Sequence, residues 1–153
     1  MLNLVGLLLT LSERAIAAAP NVEQCLAASD ASLSLENENQ LIATRDALRT
    51  CAAESCPGEI RSECSRRIAI VEQNIPTVLC EVRDAQGRLL SDVRVSIDGV
   101  HEVALNASIE LDPGTHLFVV ESAGKPSVST RVDIKRFGKN QLVTLLLDAP
   151  SAP

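Results

Sequence analysis

The spacing of apolar residues changes once along the chain, at Ile75-Pro76. Upstream, from Val22, apolar residues recur every three or four positions, which is the period of an α-helix with one buried face. Downstream, from Thr77 to Leu147, they recur close to every second position, which is the period of a half-buried strand. The pattern therefore predicts an α+β protein, with a helical segment over residues 20–76 and a β-domain over residues 77–148.

The helical segment is predicted to contain three short helices, each with one inward stripe. The first covers about 22–35, the second about 39–53, and the third runs from Cys56-Pro57-Gly58 to Ile75. The predicted inward residues are Val22, Leu26, Ser29 and Leu33 in the first helix, Leu41, Thr44, Leu48 and Cys51 in the second, and Ile60, Cys64, Ile68, Val71 and Ile75 in the third. Because the first stripe has few large apolar groups, the segment is marginal without further links.

Cysteines supply those links, because four of the five lie in the helical segment, at Cys25, Cys51, Cys56 and Cys64. In an oxidising compartment they can form two disulfides. We favour Cys51–Cys56 with Cys25–Cys64. Cys25–Cys51 is the next choice, since a hairpin of the first two helices places these two residues at about the same height. The spacings are not those of a zinc knuckle and no histidine lies nearby, so no metal site is predicted.

Turn signals divide the β-domain into about seven short strands, a number and spacing typical of a small antiparallel β-sandwich. The signals are Asp84-Ala85-Gln86-Gly87, Asp98-Gly99, Asp112-Pro113-Gly114 and Gly124-Lys125-Pro126. The predicted inward faces include Val93, Val95 and Ile97, then His116, Phe118 and Val120, and finally Val143, Leu145 and Leu147. Cys80 shares a strand face with Val78 and Val82, so we expect it to remain a free, buried thiol.

Residues 1–19 have the outline of a secretory signal peptide. The apolar run Leu2–Leu11 is too short to span a bilayer, which needs about twenty residues. Ala15-x-Ala17 supplies the small residues that a signal peptidase accepts, so we expect cleavage after Ala17. The mature chain is then periplasmic or secreted, with no stable membrane span. Residues 149–153 are expected to form a disordered tail.

Charge and aromatic content exclude several classes of function. The chain has 20 acidic and 14 basic residues and no basic run, which argues against a nucleic-acid surface. Phe118 and Phe137 are its only Phe, Tyr or Trp residues, so no aromatic platform exists for bases or sugars. Of the two imidazoles, His101 and His116, the second is expected to be a packed edge residue and not a general base. With no catalytic motif present, we predict neither an enzyme nor a cofactor.

One dense positive cluster remains as a candidate binding site. It is the predicted turn that contains Lys135, Arg136, Phe137 and Lys139, with a phenylalanine that looks exposed. Such a turn can contact an anionic envelope polymer or a protein partner. The simpler alternative is an ordinary basic turn whose phenylalanine caps the sandwich.

Turn and strand signatures carry a resemblance to a known family. They are Val93-x-Val95-x-Ile97-Asp98-Gly99, Ile109-x-Leu111-Asp112-Pro113-Gly114-x-His116, Gly124, Val132-x-Ile134 and Val143-x-Leu145-x-Leu147. Together they resemble a PEGA-type β-domain. The upstream residues Cys25, Ala47-Leu48-x-x-Cys51, Cys56-Pro57 and Cys64 resemble the Cys-rich helical segment that precedes such domains in many exported bacterial proteins. The resemblance covers most of the mature chain and implies an extracytoplasmic, non-enzymatic module with no established ligand.

These observations predict a non-enzymatic binding module at the bacterial cell envelope, with an envelope polymer or a protein as its partner. The alternative is a scaffold or assembly subunit that binds a partner peptide through its helical segment. Changes at Lys135, Arg136 and Lys139 would weaken binding in the first case, and changes on the helices in the second. We expect a macromolecular ligand held by shallow contacts, because the interior of a sandwich is only about 10 Å thick and is filled by its own side chains.

Overall fold

A computed structural model describes residues 18–99 and 101–147. Positions 1–17 of the predicted signal peptide and the predicted tail at 149–153 lie outside these ranges. Within them, three helices precede eight strands, which confirms the α+β class. The helices are α1 (Val22–Asn37), α2 (Leu41–Cys51) and α3 (Gly58–Asn74). The strands are β1 (Thr77–Arg83), β2 (Leu89–Leu90), β3 (Arg94–Ile97), β4 (His101–Val103), β5 (Ser108–Glu110), β6 (Gly114–Glu121), β7 (Val128–Ile134) and β8 (Gln141–Leu146).

Local capping signals fix both ends of α1. The side chain of Asn21 accepts a hydrogen bond from the backbone N–H of Gln24 at 2.9 Å, and Gln24 accepts one from the N–H of Asn21 at 2.8 Å. This reciprocal pair satisfies two backbone donors that the first turn leaves open. Beyond the other end, Asn39 adopts a φ of 60°, which asparagine tolerates after a helix. The chain reverses there, and α1 and α2 form the predicted hairpin.

The inward stripes of α2 and α3 agree with the sequence prediction. All four predicted residues of α2 are buried. Along the α3 stripe Cys64, Val71 and Ile75 are buried, and the partly buried Ile60 and Ile68 pack against them. A small core therefore lies between these two helices, with cysteine sulfur making up part of its volume.

The predicted inward stripe of α1 is wrong for its three apolar residues, which are exposed, whereas Ser29 is half-buried. Val22, Leu26 and Leu33 are 54%, 50% and 53% exposed, whereas the buried residues of α1 are Cys25 and Ser32. The disulfide at Cys25 and polar contacts from α3 instead hold inward the face that carries Cys25 and Ser32, about 100° around the helix from Leu26 and Leu33. The covalent bond at Cys25 fixes this rotation of the helix, so the stripe stays exposed although its apolar residues would gain free energy from burial.

The four helical cysteines form two disulfides, but in a different pairing from the favoured one. The bonds join Cys25 to Cys56 and Cys51 to Cys64. Cys51–Cys56, Cys25–Cys64 and Cys25–Cys51 are therefore all wrong. The loop between α2 and α3 carries Cys56 back to the start of α1, and α3 then returns along α2, which brings Cys64 opposite Cys51. Both bonds thus link different elements, one α1 to the loop and the other α2 to α3.

The eight strands form two four-stranded sheets that pack as a sandwich. In one sheet β8 lies along one edge of β1, while β5 and β2 share the other edge. The second sheet has the order β4-β3-β6-β7. The described pairs are antiparallel except β1 with β8, which run parallel from Val78↔Gln141 to Arg83↔Leu146. Turn signals predict hairpins, so they could not predict a pair whose strands are far apart in the chain.

The core of the sandwich consists of the inward residues of both sheets. Its buried members are Val78, Cys80, Val82, Val95, Ile97, Leu111, Phe118, Val120, Ile134, Val143, Leu145 and Leu147. Val93 packs against this core but is only partly buried. Cys80 is free and fully buried, as predicted, and its burial raises the pKa of the thiol to about 11. The core is aliphatic apart from the ring of Phe118 and the thiol of Cys80.

Candidate functional site

The predicted basic turn joins β7 to β8 and lies against the end of α3. The ammonium of Lys139 donates to the carbonyl of Glu72 at 3.1 Å and also to that of Ile75. The N–H of Phe137 donates to the carbonyl of Asn74 at 3.2 Å. The last carbonyls of a helix lack partners within the helix. This turn therefore acts as a C-terminal cap for α3, a role that the sequence analysis missed.

Two other cations of the turn are also paired within the chain. Lys135 forms an ion pair with Asp133, and the guanidinium of Arg136 lies 3.8 Å from a carboxylate oxygen of Glu36. The carbon of that guanidinium is 5.4 Å from the centre of the Phe137 ring, which is cation–π geometry. Phe137 itself is 63% exposed, so the alternative in which it caps the sandwich is wrong.

A second polar contact links α2 to the β-domain. Arg45 forms an ion pair with Glu110, with 2.8 Å between the nearest nitrogen and oxygen. The hydrogen bond from Arg45 is the main cause that lowers the pKa of Glu110, and the same bond raises the pKa of Arg45. Beside this pair, a side-chain oxygen of Asp112 accepts from the N–H of Ile42 at 2.9 Å. Asp112 thus caps the start of α2 from a turn 70 residues away.

His116 connects two turns of the sandwich. Its Nδ1 lies 2.7 Å from Asp98 Oδ2, and its Nε2 lies 2.8 Å from the carbonyl oxygen of Asp112. Both ring nitrogens face oxygen acceptors, so a doubly protonated imidazole can donate to both. The side chain is packed, as expected, but β6 lies between β3 and β7, so the prediction of an edge position is wrong. The fold thus places the Asp112 cap between His116 and α2.

The outward-facing apolar residues of α1 form an exposed stripe on the helical segment. Val22, Leu26 and Leu33 lie on the outer side of a helix whose inner side is fixed by Cys25 and Ser32. Glu23 and Asp30 are exposed on the same helix, and α1 contains no basic residue. The stripe is therefore an apolar strip with acidic neighbours. We call Val22, Leu26 and Leu33 the α1 stripe below.

A depression of about 400 Å³ opens in the sandwich beside β4 and β5. Its lining is mostly aliphatic, with Ile97, Val103, Ile109 and Leu111 as its larger members, and the carboxylate of Glu110 at this site is paired with Arg45. The volume falls within the range of small-ligand sites, but few polar groups converge there to orient a ligand. A macromolecular ligand remains the prediction.

Residues 18–99 and 101–147 contain no group of three or more histidine, cysteine, aspartate or glutamate side chains that could hold a metal ion. In the same ranges no helix is both long and apolar enough to cross a bilayer. A comparison with protein-family models and with curated proteins found no match. The resemblance to PEGA-type domains therefore stays a prediction.

Proposed function

We propose that this protein is a non-enzymatic interaction module of the bacterial cell envelope, and that it binds a protein partner through the α1 stripe. The observation that carries the proposal is the exposure of three large apolar residues in a line on one helix. Scattered exposed apolar residues are ordinary, but aligned ones on a fixed helix form a surface that a partner can cover.

The way α1 is held supports a binding role. One end is tied to Cys56 by the disulfide from Cys25, and the other end is held by Arg67, which donates to Ser32 at 2.8 Å and to Glu36 at 2.9 Å. A surface that is already ordered loses little conformational entropy when a partner binds. The stripe is therefore presented in a fixed geometry.

The chemistry of the stripe favours one kind of partner. Its apolar residues would pack against the apolar face of a partner segment, while Glu23 and Asp30 favour lysine or arginine beside that face. An amphipathic, basic protein segment meets both requirements. The proposal thus selects the peptide-binding alternative of the sequence analysis over an anionic polymer.

An extracytoplasmic location is part of the proposal. Two disulfides in one short helical segment are typical of proteins that fold in an oxidising compartment. The signal-peptide pattern of residues 1–19 and the resemblance to PEGA-type proteins favour the same location. Export would be tested by mass spectrometry of the periplasmic fraction, where a chain that begins near Ala18 is expected and a full-length cytoplasmic chain would contradict it.

The binding test is a cross-linked pull-down from envelope extract with three matched proteins. Leu26→Glu with Leu33→Glu introduces charge on the stripe, and Leu89→Glu makes the same change at a leucine that is 61% exposed on β2. A partner captured by the unchanged protein and by Leu89→Glu, but lost with the stripe variant, supports the proposal.

A further variant separates the stripe from the basic turn. Lys135→Glu with Phe137→Ser alters the exposed part of the turn and leaves Lys139 to cap α3. If this turn variant loses the partner while the stripe variant still captures it, the proposal is wrong and the turn is the binding site. The same conclusion follows if only anionic polymers bind.

A further inference from the structure

We propose that the free edge of β8 pairs with the same edge of a second copy of this chain, in an antiparallel register centred on Thr144. The proposal is independent of the α1 stripe, because it rests on a strand of the β-domain and on different residues. It follows from three properties of β8: an edge without a partner strand, the direction of its backbone groups, and the symmetry of its sequence.

The outer edge of β8 is open in the part of the chain that the structure describes. β8 pairs with β1 along one side, and no described strand pairs with its other side. Natural edge strands commonly carry charged residues or proline that prevent pairing with other chains. The edge strand β7 carries Arg131 and Asp133, and the edge strand β4 carries Glu102. The six residues of β8 include neither a charge nor a proline.

The backbone direction follows from the end of the strand. The N–H of Leu147 donates to the carbonyl of Arg83 on β1 at 3.0 Å, so this N–H points toward β1. Successive N–H groups of a strand alternate in direction. The N–H and carbonyl groups of Leu142, Thr144 and Leu146 therefore point to the open edge. Their side chains also face solvent, and the two leucines are 64% and 49% exposed.

The sequence of β8 matches itself when it is reversed about Thr144. Leu142-Val143-Thr144-Leu145-Leu146 is apolar, apolar, threonine, apolar, apolar in either direction. A two-fold axis at Thr144 pairs threonine with threonine and Leu142 with Leu146 of the second copy. Each of these is a hydrogen-bonded pair of an antiparallel ladder, so three pairs give about six backbone hydrogen bonds. The two exposed leucines are covered at the same time.

Charge near the edge does not oppose this pairing. On β1, next to β8, Glu81 forms an ion pair with Arg83 at 2.8 Å, and the hydroxyl of Thr144 donates to Glu81 at 2.9 Å. The charges closest to the axis are thus neutralised within each copy. A second copy meets a neutral strand flanked by apolar side chains, which fits β8 itself better than a charged peptide.

The first test measures the monomer–dimer equilibrium of the protein, purified after expression of the full chain, by sedimentation velocity. Thr144→Lys places two ammonium groups opposite each other at the axis and should weaken dimerisation by about fivefold. Thr130→Lys makes the same change at an exposed position on the edge of β7 and should leave dimerisation unchanged. Mixing Thr144→Lys with Thr144→Glu should restore the dimer, which also shows that both variants are folded.

The second test reads the register. Paired residues in a hydrogen-bonded antiparallel pair have Cα atoms about 5.5 Å apart, within the range of a disulfide. Thr144→Cys should therefore cross-link to itself under mild oxidation. Leu142→Cys alone should not, but a mixture of Leu142→Cys and Leu146→Cys should. A monomer at every concentration, a dimer insensitive to Thr144→Lys, or cross-linking of Leu142→Cys to itself would overturn the proposal.

Discussion

Removal of the Cys51–Cys64 disulfide is expected to lower the free energy of unfolding by about 3 kcal/mol. The change is the double substitution Cys51→Ala with Cys64→Ala, which leaves no unpaired thiol in the helices. The bond spans a sequence separation of 13 residues, and the chain entropy that a link over such a loop removes from the unfolded state corresponds to about 3 kcal/mol. Both cysteines are fully buried, so the lost sulfur packing acts in the same direction.

The Cys25–Cys56 bond provides an internal comparison. Its separation is 31 residues, and the same relation gives about 4 kcal/mol for Cys25→Ala with Cys56→Ala. This second double variant should therefore be the less stable of the two on entropy alone. It also releases the start of α1, so its α1 amides should lose protection from hydrogen exchange before those of the sandwich.

Urea unfolding followed by circular dichroism measures both effects. For a loss of about 3 kcal/mol and a typical dependence on urea, the midpoint should fall by roughly 1 to 3 M. Cys80→Ala removes a buried cysteine that is outside both disulfides, so the stability it loses measures lost core packing without loss of a link. Midpoints that do not change in either double variant, or a non-reducing digest that links Cys51 to Cys56, would refute the reasoning.

Three further predictions concern single side chains. Because two disulfides pair the other four cysteines, one thiol, that of Cys80, should react in denatured, non-reduced protein. Burial raises the pKa of this thiol to about 11, so none should react in native protein. Reaction of five thiols in denatured, non-reduced protein would contradict the two disulfides. Burial raises the pKa of Asp84, but hydrogen bonds from Arg88 outweigh it and the net pKa is lowered. The ionised Asp84 therefore stabilises the fold above the ordinary aspartate pKa, and this stabilisation is lost as pH falls through the lowered pKa. Denaturation at a series of pH values should show Asp84→Asn less stable than the unchanged protein near neutral pH. The difference in free energy of unfolding should disappear in acid. Lys139→Met should cost about 1–2 kcal/mol in thermal unfolding, because the carbonyl of Glu72 in α3 and that of Ile75 just after it lose a charged donor. Lys135→Met, at a surface ion pair, should have almost no effect.

Periodicity predicts the elements of this fold well where burial is large. The stripes of α2 and α3, and most of the inward faces of the strands, are found where the sequence places them. The prediction of the inward face fails for α1. Its apolar residues are few, and its orientation is fixed by a disulfide and by Arg67 on α3. The sequence of α1 shows that Cys25 can form a disulfide, but neither its partner cysteine nor the contact with Arg67 follows from the period of the apolar residues.

The same limit applies to the basic turn and to Asp112. The sequence predicts a turn at each place, the basic turn from its charge and the other turn from Asp112-Pro113-Gly114. Their partners are helix ends many residues away, and a capping interaction between distant segments leaves no periodic pattern. The sequence therefore predicts Lys139 as a binding residue, whereas its hydrogen bonds are made to the end of α3.

The contacts between the helices and the sandwich explain why α1 is the helix left open. The start of α2 is capped by Asp112, and the end of α3 is capped by Lys139. These bonds satisfy backbone groups that would otherwise lack partners, so they fix α2 and α3 against the β-domain. For α1, a contact to the β-domain is the 3.8 Å ion pair of Glu36 with Arg136, near the C-terminal end of the helix. Because α2 and α3 are held by their ends, the stripe at Val22, Leu26 and Leu33 stays uncovered, and a partner can bind there without disturbing either cap.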